Sequence, residues 1–300
     1  MRRPGARVSY AVISCDLDTV DRHLDGYGIT GLPPCDRVYR TAVPRLLALL
    51  AELGIPAVLF TIARDAEQER GLLREAIGAG HEVASHSLTH PQPFRTLDDA
   101  ALGEEIVTSR ARLAEATGTE ILGFRAPAWD VDARVLAAVR AAGYRYDASV
   151  FPTPVLVASR LSAYRRSTGK GAIFSMDLLG HAFAPMTPHR MDGLTEFPIA
   201  VTRWLRLPVY HTFSYFLPRW VFQRMLQSLL RSRQPICYEL HAADLLDLEA
   251  DGVDPRMARH PGMRVPLAQR YARLRDILGT IARARRAVTY RQALLQGLAA

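Results

Sequence analysis

The sequence predicts an α/β fold, a barrel of parallel strands ringed by helices with its functional side chains on the C-terminal rim. Three observations carry that prediction. Short apolar runs alternate with helical stretches from Val8 to Ala142, the pattern of right-handed βαβ units. Polar residues fall just past the strands: Asp16 and Asp18 after the first, His86 and His90 after the third, Arg125 after the fourth, and His241 after a late one. Groups from so many strand ends meet most readily at a barrel rim. No Gly-rich phosphate turn follows the first strand, which disfavours a dinucleotide fold.

Each element has its own signal. Val8 to Cys15 is apolar and ends in acidic residues, as a buried first strand would; a polar, Gly-rich loop then runs through Pro34. Val43 to Leu53 has helical spacing and a glycine stop at Gly54. Ala57 to Thr61 is a continuous apolar run, suited to a strand covered on both faces. The alternation continues with a helix over Glu67 to Ala79, a strand His81 to Ser85, a helix Asp98 to Thr117, a strand Ile121 to Phe124 and a helix Asp132 to Ala142. Further on come a strand Glu196 to Val201, a helix from about Leu217 to Leu230, and a strand Pro235 to Leu240. The chain of 300 residues has no Pro/Gly-rich linker or internal repeat, so residues 1–300 read as a single domain. Within it the barrel spans 8–247 and a C-terminal helical extension, 248–300, packs on it.

The formal charge is +8, and Lys170 is the only lysine, so arginine supplies nearly all of the basic charge. The arginines lie in amphipathic helical stretches without an aromatic-interleaved basic platform, which argues against nucleic acid and leaves a genome's codon bias or a surface that meets acidic lipid as the source of the skew. The start reads as a strand and not a signal peptide. No apolar stretch approaches the ~20 residues that span a bilayer. Cys15, Cys35 and Cys237 are odd in number and irregular in spacing, which fits free thiols in the cytoplasm. Cys15 alternates away from Asp16 along the strand and is expected to be buried and inert.

His86-Ser-Leu-Thr-His90-Pro91 and Asp16-Leu-Asp18 together offer two imidazoles and a carboxylate, a ligand set that leaves a position open on a divalent cation. The second aspartate can then act as a base. The histidines follow an apolar strand and Pro91 stops the turn, which fits ligands projecting from a strand tip. His23, His181, His189, His211 and His260 stand outside any such pattern and are expected to be packing or solvent-facing residues.

Asp16-Leu-Asp18, Gly80 to Pro91, Phe124-Arg125-Ala-Pro127-Ala-Trp129 and Leu240-His241 occur in the order and at roughly the spacing of the polysaccharide deacetylase family, also called the NodB-homology or carbohydrate esterase family 4 fold, which this chain resembles over about Val8 to Asp247. The resemblance implies a distorted (β/α) barrel that removes N-acyl groups from amino sugars with a divalent metal, usually zinc; cobalt, nickel and iron suit the same donors. It implies Asp16 as general base, Asp18, His86 and His90 as metal ligands, Arg125 as the group that orients the base, and His241 as general acid. It also implies that Pro127 and Trp129 form a wall of the substrate groove and that Leu240 lines the acyl-methyl pocket. Glu196 is the candidate carboxylate behind His241. The physics agrees, since Arg125 beside Asp16 would favour the ionised base, and a leaving amine needs a proton from an acid.

The commonest family form has adjacent aspartates followed by Gly-Pro; here Leu17 separates them. The spaced form resembles a branch with intracellular peptidoglycan-type deacetylases, cyclic-amide hydrolases and the deformylase of aminoarabinose lipids. The downstream section, Glu196-Phe-Pro198 through Tyr238-Glu-Leu-His241, resembles deacetylases found with exopolysaccharide export systems. The expected substrate is therefore an acylated amino sugar, lipid-linked or presented at the inner membrane face. Alternatives are a formamido sugar lipid, a cyclic amide, or a catalytically inactive barrel that binds glycans. The stretch Trp204 to Trp220, dense in aromatics and flanked by arginines, fits either a membrane interface or packing against the barrel.

Overall fold

The computed structural model describes residues 9–158, 180–191 and 193–299; Val8, where the sequence places the start of the first strand and of the barrel, lies outside them. Strand β1 (Tyr10–Asp16) is buried throughout and lies between β2 (Ala57–Thr61) and β8 (Ile236–His241), parallel to both. The sheet continues through β3 (Glu82–Ser85), β4 (Gly123–Phe124), β5 (Tyr146–Asp147) and β7 (Leu194–Glu196), and among the described strands only the last pairing, with β6 (His189–Met191), is antiparallel. A segment with no ladder of its own bridges the open side. Phe197 N–H donates to the Asp147 carbonyl and Ile199 N–H to Val150, while Ala200 N–H donates to Cys237 on β8. The expected strand over Glu196 to Val201 thus stops at Glu196, because Pro198 has no N–H for a ladder.

Alternation along β1 sorts the core. Ala11, Ile13, Cys15 and Leu17 pack toward the helices, whereas Tyr10 and Val12 face the barrel interior with Phe60, Ala84, Tyr146 and Phe197. Cys15 is buried as expected, and burial pushes its thiol well up. The helices α1 (Val20–Asp25), α2 (Val43–Leu53), α3 (Arg70–Gly78), α4 (Asp99–Gly103), α5 (Ser109–Thr117), α6 (Ala133–Ala141), α7 (Arg219–Arg231), α8 (Leu267–Ala284) and α9 (Tyr290–Leu295) follow in chain order. Gly54 ends α2 in the left-handed region, φ 64°, which a side chain would resist.

Three expectations need correction. The loop before Pro34 contains α1. The helix over Asp98 to Thr117 is broken by a π-turn at Glu104–Thr108, a local widening that apolar periodicity does not report. Residues 248–300 are more than a helical extension, since β9 (Arg286–Ala287) pairs with β1 and the Tyr290 ring fills the barrel interior against Phe60, Tyr146 and Phe197.

Candidate active site

Asp16 and Asp18 stand two residues apart at the end of β1, so the pleat turns both toward one side while Leu17 packs among the helices. Asp18 Oδ1 lies 3.2 Å from His86 Nε2 and 3.5 Å from His90 Nε2. His86 Nδ1 donates to the Arg125 carbonyl at 2.8 Å, which aims Nε2 at the aspartate. Asp18 Oδ1 and both ring nitrogens of His90 are buried without a hydrogen-bond partner, a condition native interiors rarely leave uncompensated. Together Asp18, His86 and His90 present ligand atoms within 4.8 Å of one another, and this donor set fits a divalent cation.

Protonation favours the same reading for two of the three. Burial brings His90 down to about 3, leaving it neutral. Burial alone would raise Asp18, but His90, His23 and His86 hold its carboxyl well below the usual range. Burial would lower His86, yet Asp16 and Asp18 outweigh it and raise the ring.

The turn carrying the histidines is strained and braced. Ser87 and His90 have φ of 65° and 60°, costly for residues with a side chain. His90 N–H donates to Ser87 Oγ at 3.0 Å, and Glu105, on the π-turn, accepts from the Leu88 and Thr89 N–H groups, both at 2.9 Å. Glu105 gave no signal in the sequence, because its role depends on the π-turn bringing it over the loop.

Arg125 is fully buried and clamps Asp16. Its Nη1 donates to Asp16 Oδ1 at 2.5 Å, Nη2 to Ser14 Oγ at 3.0 Å and Nε to the Ala148 carbonyl at 2.9 Å, with the guanidinium 4.0 Å over the Phe60 ring. Asp16 Oδ2 is left facing His86 Nε2 at 3.8 Å. Pro127 is buried in a short 3-10 turn, and Ala128 and Trp129 take positive φ, 53° and 54°. That turn brings the Trp129 ring 6.2 Å from His241 and against Phe151 and Tyr210. The structure therefore gathers Asp16, Asp18, His86, His90, Arg125, Trp129 and His241.

Leu240 and Glu196 are not brought into that group. Leu240 lies between Glu239 and His241 on β8, so the pleat turns it the other way, into the core shared with Leu17 and Ala243. Glu196 accepts from Val150 N–H at 3.0 Å and pairs across the sheet with Asp147, which accepts from the Ser149 hydroxyl; Ser149 Oγ in turn accepts from Ala126 N–H. It thus braces the loop between Arg125 and Trp129 and does not hold His241. Burial and Asp147 push Glu196 well up.

The carboxylates that do flank His241 Nε2 are Glu239 at 3.7 Å and Asp18 at 3.8 Å. Glu239 was legible, since Glu-Leu-His has the same two-residue spacing as Asp-Leu-Asp. His23, expected to be a packing or solvent-facing residue, sits 3.7 Å from Asp18 Oδ2, with its ring 5.4 Å from His241 and 5.0 Å from His260. Burial lowers His241, Asp18 and Asp16 oppose that, and His23 and His86 add to it.

His211 is a packing residue as expected, with contacts to the hydroxyls of Tyr238 and Tyr215 at 3.1 and 2.9 Å. Burial first, then Arg273 and Arg270, bring it down to about 3. A ring neutral in the folded chain takes up a proton on unfolding, so stability should be lost as pH falls from the ordinary histidine range toward 3, by up to about 1.4 kcal/mol per pH unit. His211→Gln should flatten part of that slope in denaturant titrations; an unchanged slope would exclude His211 as its source.

Barrel and rim define a class: α/β proteins with a two-histidine, one-aspartate cluster able to hold a cation, beside an arginine-held carboxylate. Residues 34–146 match the family model described as polysaccharide deacetylase. The peptidoglycan deacetylase of Helicobacter pylori is 28% identical over 150 residues, 48% of this chain and 49% of that protein. A chitooligosaccharide deacetylase of Sinorhizobium fredii is 44% identical over 48 residues, 16% of this chain and 22% of its own length. A solved structure from Mycobacterium smegmatis, classed as a polysaccharide deacetylase, superposes with a TM-score of 0.62 at 17% identity, over 99% of this chain and 92% of that one. Over residues 34–146 the chain is thus similar to the polysaccharide deacetylase family, and its fold is that of the solved Mycobacterium structure. Its match to the first of these curated relatives spans about half of that protein's length. The matched segment holds His86, His90 and Arg125, while Asp16, Asp18 and His241 lie outside it and join them through the fold.

Proposed function

We propose that the chain is a cation-dependent N-deacetylase of an acylated amino sugar. The observation that carries this is the convergence of Asp18, His86 and His90 beside an arginine-clamped Asp16 and His241. A divalent cation held by Asp18, His86 and His90, zinc in the first instance, would supply a Lewis acid that polarises the amide carbonyl. Asp16 Oδ2 takes the proton of the attacking water as that oxygen bonds to the carbonyl carbon. Arg125 keeps Oδ1 occupied and the carboxylate in one orientation. His241 donates a proton to the amide nitrogen as the C–N bond breaks, releasing a free amine and a carboxylate. Trp129 offers its face to the sugar ring. The direct test is acetate release from acetylated amino sugars, soluble and lipid-linked, with and without chelator; formamido analogues, scored by formate, separate the deformylase alternative. No release from any of them by cation-loaded protein would overturn the assignment.

The lipid-linked, cytoplasmic form of this reading draws on the surface. Cys15, Cys35 and Cys237 are all free, and among the described residues no helix is long and apolar enough to cross a membrane. Trp204, Leu205, Phe216 and Trp220 are exposed, with the guanidiniums of Arg203 and Arg224 over the two tryptophans, a pairing suited to an anionic lipid interface. Phe213 and Tyr215 in the same stretch are half-buried. Replacing Trp204, Phe216 and Trp220 with serine should then abolish salt-sensitive sedimentation with anionic vesicles and slow turnover of a lipid-linked sugar, with a short soluble substrate spared. Equal losses on both substrates would count against membrane contact.

A further inference from the structure

Glu239 is fully buried, yet both of its carboxylate oxygens lack a hydrogen-bond partner. The mechanism above does not use it. It stands with Asp16 and His241 so that ligand atoms of all three lie within 4.8 Å of one another. The group adjoins the first one through Asp18, whose Oδ1 faces His86 and His90 while Oδ2 faces His241 at 3.8 Å.

We infer that Asp16, Glu239 and His241 form a second divalent-cation site, bridged to the first through Asp18, whose occupation takes the base and the acid out of service. A carboxylate pair with one imidazole suits zinc and similar ions. The second ion binds more weakly than the first for two electrostatic reasons. Arg125 already holds Asp16 Oδ1 at 2.5 Å, and its positive charge repels an incoming cation. One divalent ion also balances the carboxylates of Asp16, Asp18 and Glu239 against that guanidinium, so a second exceeds the local negative charge. Excess cation should therefore inhibit, giving the protein an optimum in metal concentration. The inhibitory consequence rests on the deacetylase reading; the site itself does not.

The test is stoichiometry. Zinc titrated into chelator-stripped protein, followed by calorimetry and by metal content after equilibrium dialysis, should show two equivalents, the second at least about tenfold weaker. Glu239→Gln and His241→Ala should each keep the first equivalent and lose the second. Using both guards against one variant failing to fold, and Glu239→Gln should also lose inhibition by excess zinc. Uptake of a single equivalent by the unmodified chain, or a second equivalent retained in both variants, would overturn the second site and leave the first intact. Uptake of no zinc at all would overturn both sites.

Discussion

Asp16→Asn is expected to lower kcat by about 10²–10⁴-fold while the protein keeps its first cation equivalent. His90→Ala should lose that equivalent and activity together. The asymmetry comes from geometry: His90 Nε2 and His86 Nε2 face Asp18 Oδ1, whereas Asp16 gives Oδ1 to Arg125 and leaves Oδ2 for the proton-accepting role proposed above. Asparagine preserves the volume and an oxygen that accepts from the guanidinium, so the site stays assembled, but it cannot act as a base. Metal per chain and product release from one preparation decide the matter. An Asp16→Asn protein that binds no metal where the unmodified chain binds it would show that the two aspartates have been given each other's roles.

Arg125→Met should cost about 3–5 kcal/mol of stability, the range for breaking a buried ion pair by removing one partner. Methionine fills much of the volume above Phe60 but leaves the Asp16 carboxylate without its guanidinium, and Ser14 Oγ and the Ala148 carbonyl without a donor. Arg125→Lys should rescue little, because one ammonium cannot reach three separated acceptors as a planar fork does. Denaturant unfolding at neutral pH reads the effect. A loss under about 1 kcal/mol would place Arg125 among ordinary surface substitutions and remove the argument that it clamps the base.

Legibility differed by kind of signal. The strand over Ala57–Thr61 and the helix Val43–Leu53 follow their periodicity to the residue, because burial on both faces, or on one stripe, leaves a repeating pattern. Strand β5 and strand β9 have two residues each, too few for any period to register. The π-turn at Glu104–Thr108 keeps helical composition while shifting the faces, so Glu105 emerged only in three dimensions.

By itself the sequence determined that paired acidic residues and a histidine turn follow buried strands, since a two-residue spacing at a strand end fixes a common side whatever the surroundings. It also determined that Arg125 and His241 would stand at strand ends. Which side chains meet was decided by the curl of the sheet and its register. Leu240 and Glu239 are neighbours in the chain but face opposite sides of β8; Glu196 crosses to Asp147 and not to His241; and His23 and His260 come together from distant segments. Contacts between residues far apart in sequence depend on barrel curvature and strand register, and neither is written in any local run of residues.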